Sequence, residues 1–192
     1  MDDPQTAGFP DWLVNRVMRS KLVYRVWQFW QSLKKPPGME EWQKVEAILT
    51  QPELTLFESL PVQDQNHSLR VLANLEANGE TDADLLKAAL LHDIGKTCCP
   101  LARWERVFAV MMEGLFPRAA LEWGRKEPQG IWRSLVTIQQ HPAWGADMAQ
   151  KAGSSQKVIW LIRHHEAEEL SEVFPQGDRE LLQKLQNADN NN

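Results

Sequence analysis

The stretch Ala88–Lys96, AALLHDIGK, joins an apolar helical run to a histidine, an aspartate and a glycine. Ala88, Ala89, Leu90 and Leu91 belong in a core. Their helix therefore carries His92 and Asp93 to the core's edge, where polar groups need partners because unpaired burial is costly. Either each makes a local hydrogen bond, or the two together hold a ligand.

The remaining sequence reads as helices. From Asp11 to Lys35, apolar residues recur at Leu13, Val17, Leu22, Val26, Trp27, Trp30 and Leu33 with helical spacing. Pro36-Pro37-Gly38 ends that segment, and a helix with Glu40 and Glu41 in its first turn runs to about Leu49. A short segment after Pro52 is followed by a helix opened by Pro61, carrying His67 and ending near Asn78-Gly79. Thr81 is expected to cap the next helix, which reaches His92. Two or three pieces broken at Pro117 and Pro128 follow. His141-Pro142 is then expected to start a helix, with proline at its favoured first position. Ser154 or Ser155 caps a helix to about Glu169, and Asp178 caps a last one reaching Asp189. No strand alternation stands out, so the expected fold class is all-α.

With 43% apolar and 24% charged residues over 192 positions, the chain has the composition of a soluble globular domain. A net charge of −5 argues against nonspecific nucleic-acid binding, which depends on neutralising phosphates. The adjacent Cys98 and Cys99 fit neither a disulfide framework nor a CxxC motif; they read as reduced, packing thiols of a cytoplasmic protein. The acidic N-terminus lacks the order of a signal peptide, and no apolar run is long enough to span a bilayer. The arginines and tryptophans of residues 11–35 would suit a membrane surface. Packing on the protein's own core or on a partner subunit is the commoner use of such a stripe.

The five histidines are His67, His92, His141, His164 and His165, each at a helix end or behind an apolar run. In chain order they form His67, His92-Asp93-Ile94-Gly95-Lys96, His141-Pro142, His164-His165-Glu166 and a closing Asp189. In this order and spacing the chain resembles the HD-domain metal-dependent phosphohydrolases, in particular their HDIG branch, from about Gln65 to Asp189. The resemblance implies an HD-domain helical bundle over residues 61–192, preceded by an N-terminal helical extension over residues 1–60. It implies a first metal ion among His67, His92, Asp93 and Asp189. Asp93 would bridge to a second ion held by His141 and His164, with His165 either a ligand or a neighbour of the substrate.

Imidazole suits iron, zinc, cobalt and nickel, and carboxylate also admits manganese and magnesium. The implied cofactors are thus two divalent ions, iron, manganese or another transition metal, with magnesium admissible. Paired ions bind phosphoryl oxygens and lower the pKa of a bound water toward about 7, which suits hydrolysis of a phosphoester. Lys96, after Gly95 (read here as flexible), and Arg70, one turn beyond His67, are candidates to neutralise the substrate phosphate. Asp93 and Lys96 are the candidate catalytic residues. The implied partner is a small phosphorylated molecule, a nucleotide or a relative of one, and a homo-oligomer is compatible with the sequence.

Taken singly, each residue also has a plain structural reading. His141 could merely cap the helix at Pro142, neighbours on a helix point about 100° apart so His164 and His165 need not share a metal, and Lys96 could be a solvated helix end. Glu166 reads more readily as an acid behind the ligands or on the surface than as a ligand itself. The Gly-Tyr-Pro element that marks the family's cyclic-dinucleotide-cleaving branch is absent after His165, and the chain's one tyrosine is Tyr24. The long step from Asp93 to His141 leaves room for an insertion over residues 97–130, expected to wall the substrate pocket. A di-iron oxygenase on the same scaffold and a regulatory module that binds without turnover remain open beside the phosphohydrolase.

Overall fold

The computed structural model describes residues 35–167 and 176–191. The chain divides into two units between Pro36 and Pro37, and the second, from Pro37 on, is the one described below. The amphipathic segment expected over Asp11–Lys35 lies, apart from Lys35, outside the described residues. Among the described residues every regular element is a helix and there is no strand, so the fold is all-α.

The second unit opens with α1 (Met39–Ile48) and α2 (Gln51–Glu58). The segment after Pro52 is thus a helix in its own right. Thr50 caps it, with the Glu53 carboxylate accepting from the Thr50 amide and hydroxyl, each at 2.9 Å. Glu53 is buried and also accepts from Lys87 at 2.9 Å and from Ser154 at 2.7 Å. Residues 39–60, grouped by sequence with the N-terminal extension, contribute Val45, Leu49, Leu54, Phe57 and Leu60 to the same buried cluster as Leu90 and Leu91. Apolar burial and the Glu53 contacts therefore place them in the histidine-bearing unit, which begins at Pro37.

The centre of the unit is α4 (Ala83–Leu91), preceded by α3 (Val62–Ala77). Asp82, not Thr81, caps α4 by accepting from the Leu85 amide at 3.0 Å. Leu85, Ala88, Ala89, Leu90 and Leu91 are fully buried. Full burial of each leucine contributes roughly 1.5–3 kcal/mol. The helix touches α1, α2 and α3, and also α8 (Gln156–His164) and α9 (Gln176–Asn190). A central helix wrapped on several sides has only its ends free for chemistry, and its C-terminal end is His92-Asp93.

Beyond it a 3-10 turn, Ile94–Cys98, packs on α7 (Arg133–Lys151). Between them come α5 (Arg103–Leu115) and α6 (Pro117–Gly124), whose Ala109 and Ala120 pack with Leu135 beside Trp123 and Trp132. The helix expected to start at His141-Pro142 instead starts at Arg133, leaving both residues in its interior. Its buried face runs unbroken from Leu135 and Val136 to Ala146 and Ala149, and that packing overrides the proline's preference for a first turn. Ser155 caps α8, accepting from the Val158 amide. That helix ends at His164, short of the expected Glu169.

Gly95 approaches α7 directly. A Cβ built on it would overlap the His141 carbonyl and lie 2.6 Å from the Gly145 amide nitrogen. Its φ is not positive, so lack of a side chain, rather than flexibility, is what the position requires. Cys98 and Cys99 are free; Cys98 is exposed, its Sγ 3.6 Å from Met148 Sδ, so it is not the packed thiol expected.

Candidate metal centre

His67 comes from α3, His92 and Asp93 from the end of α4, His141 from α7, His165 from the end of α8, and Asp189 from α9. Two sets of ligand-type atoms form, His67 with His92 and Asp93, and Asp93 with His141 and His165; within each, all atoms lie within 4.8 Å of one another. Asp93 belongs to both. Its Oδ2 lies 3.6 Å from His92 Nε2, and its Oδ1 lies 3.4 Å from His141 Nε2 and 3.9 Å from His165 Nε2. Asp189 Oδ1 completes the first set, 2.7 Å from His67 Nε2 and 3.7 Å from His92 Nε2.

The backbone orients the rings. Nδ1 of His92 faces the Ala89 carbonyl at 2.9 Å, Nδ1 of His141 that of Ile138 at 2.8 Å, and Nδ1 of His165 that of Ile162 at 2.7 Å. A carbonyl only accepts, so each Nδ1 carries the proton and each Nε2 presents a lone pair. Ala89 and Ile162 lie in the last turns of their helices, where carbonyls lack an intrahelical amide. The Ile138 carbonyl is spare for another reason: its usual donor would be residue 142, and Pro142 has no N–H. The His-Pro pair is thus a device for aiming His141, not for starting a helix.

Two consequences test the fit to a cation. His92 Nε2 is buried with no hydrogen-bond partner among the described residues. His141 Nε2 and His165 Nε2 face each other at 3.3 Å, and with both Nδ1 atoms protonated two lone pairs meet there. Neutral imidazoles and a carboxylate converging in this way fit a divalent transition-metal ion.

The charge states agree. Burial lowers the pKa of His92 below its ordinary value, outweighing Asp93 and Asp189. Burial and then the neighbouring His92 and His141 take His165 down to about 3. Burial pushes Asp93 up, but His92, Lys96 and His141 outweigh it and hold the carboxylate well below its usual range. Near neutral pH these groups are in the forms that bind metal, imidazole uncharged and carboxylate ionised.

His164 lies in neither set. Its ring stacks on Trp160, centroids 4.8 Å apart, and its Nδ1 donates to the Trp160 carbonyl at 2.8 Å. The neighbour expected as the second-ion ligand is therefore replaced in position by His165, which the turn after α8 directs inward. Glu166, read from sequence as an acid behind the ligands or on the surface, has Oε1 3.5 Å from His141 Nε2 and 4.0 Å from His165 Nε2, the first of these positions.

A pocket of about 240 Å³ opens beside the second set, lined by Lys96, Arg106, Glu113, Ile138, His141 and Glu166 among others. Lys96 Nζ lies 2.7 Å from Asp93 Oδ2, on the wall between centre and pocket. Arg70 does not line this pocket; the second cation there is Arg106, on the insertion, which sequence reasoning missed. Its guanidinium forks onto both oxygens of Asp64 at 3.1 Å each, tying the insertion to the helix of His67. Only long-range packing pairs these two, so no local signal could have found Arg106.

No family model, curated protein or solved structure matches the chain. Among the described residues no helix is long and apolar enough to cross a membrane.

Proposed function

We propose that this protein is a metal-dependent phosphohydrolase of the HD type, cleaving a phosphoester of a nucleotide or related small molecule. Its first ion would be held by His67, His92, Asp93 and Asp189, and its second by Asp93, His141 and His165. The observation that carries this reading is the facing pair His141 and His165, Nε2 atoms 3.3 Å apart, beside the shared Asp93, with His141 at the wall of a pocket.

Two divalent ions bound there would supply an activated water and neutralise charge on a phosphoryl group. The chain's own groups do the remainder. Asp93, held ionised, spans both sets with its two oxygens. Lys96 Nζ reaches the pocket wall, where it faces a phosphate oxygen and offsets the charge that builds during displacement. Glu166 has its pKa raised by burial above the ordinary carboxylate value, against the pull of His141 and Lys96. Its Oε1 lies 3.5 Å from His141 Nε2 at the same pocket wall. The two adjacent free thiols suit action in the reducing cytoplasm.

The test is phosphate release from a broad phosphoester panel, with iron or manganese added, run anaerobically and in air. Equal release under both atmospheres is expected. Turnover that requires dioxygen would point to a di-iron oxygenase, and tight binding without turnover to a regulatory module.

A further inference from the structure

The insertion brings an acid into the pocket that the hydrolytic reading does not use. Arg106 and Glu113 lie two turns apart on α5, so they share a face, and both line the pocket. The Arg106–Asp64 fork fixes that face against the helix of His67. With its charge matched by Asp64, Arg106 positions the helix rather than waiting for a ligand. Glu113 is different: among the described residues it makes no hydrogen bond and no ion pair. Burial, reinforced by the negative charge of Glu166, pushes its pKa up. A part-buried carboxylate at the wall of a cavity that Lys96 and His141 also line lacks a donor to accept from.

We infer that Glu113 is a specificity-determining residue that accepts a hydrogen bond from a hydroxyl or amino group on the alcohol part of the substrate. The substrate's phosphate would lie toward Lys96 and His141, and its donor-bearing portion toward Glu113. The cavity that Glu113 and Lys96 both line measures about 240 Å³, room for a donor-bearing group beside the phosphate. A second phosphate in its place would meet Glu113 and Glu166, which disfavours di- and triphosphates. The assignment of the phosphate end rests on the phosphohydrolase reading.

The experiment is equilibrium binding of non-hydrolysable phosphonates to manganese-loaded protein. Hydroxyalkylphosphonates of increasing chain length are each paired with the alkylphosphonate lacking the hydroxyl. The wild type should bind at least one hydroxylated compound on the order of tenfold tighter than its partner, the scale of one hydrogen bond to a charged group. Glu113→Ala should remove that preference, leaving alkylphosphonate affinity and metal content unchanged. Glu113→Gln, which keeps an acceptor oxygen, should retain part of it. A preference that persists in Glu113→Ala, no preference in the wild type, or no phosphonate binding would each overturn the inference. A Glu113-dependent preference in a protein that hydrolyses none of the corresponding esters would uphold Glu113 while sinking the phosphohydrolase reading.

Discussion

Gly95 lies against the backbone of His141 so closely that a Cβ there would overlap the His141 carbonyl. The turn after Asp93 and the helix of His141 thus set each other's position, and with it the gap between Asp93 Oδ1 and His141 Nε2. Gly95→Ala must push the two elements apart. It should cost about 1–3 kcal/mol, as overpacking does, and weaken the second ion more than the first. Gly114→Ala is the control, because a Cβ there meets nothing within 4 Å. In a helix that change should be neutral or stabilising by up to about 1 kcal/mol. Urea melts with metal analysis of both variants test this; equal stability would remove Gly95 from the account.

His165 and His164 are neighbours with different surroundings. If the proposed pair of ions is bound, His165→Ala should lower the metal content toward one ion per chain, because it removes one of the three groups of the second set. His164→Ala should leave metal content unchanged, its ring being stacked on Trp160. The reverse pattern, by elemental analysis, would restore the assignment made from sequence.

Lys96→Ala should leave metal content intact and impair turnover of the best panel substrate. The expected loss of transition-state stabilisation is on the order of 2–4 kcal/mol, as for other preorganised charge stabilisers. Steady-state kinetics equal to wild type would take Lys96 out of the mechanism.

Acid should destabilise the metal-free protein. His165 titrates at about 3 when folded against 6.5 for a free imidazole, so below 6.5 the unfolded chain binds a proton the folded one refuses. His92 is shifted in the same direction. For His165 stability is therefore fully present above about pH 6.5 and falls as pH drops toward 3, by up to about 1.4 kcal/mol per unit, and His92 adds to the loss in the same direction. Denaturant melts across this range check the slope. Stability that rises on acidification would contradict the buried, neutral state of these rings.

The helical pattern and the histidine order could be read along the chain because they depend on local spacing. His67, His92, Asp93, His141 and Asp189, far apart in the sequence, come together in the structure. Pro142 misled because a proline's local preference is for a first turn, whereas here its missing N–H frees the Ile138 carbonyl for His141. Thr50 and Glu53 carried a readable capping box that Pro52 obscured. Arg106 with Asp64, and Glu53 with Ser154, are joined across many residues by tertiary packing, and nothing local announces them.

The central claim is that Asp93 bridges two ions, and metal stoichiometry tests it most directly. Protein purified gently with added iron or manganese should approach two ions per chain. His141→Ala should hold one, and Asp93→Ala none, because both sets share that carboxylate. A wild type that never exceeds one ion, or an Asp93→Ala protein that still holds two, would contradict the account.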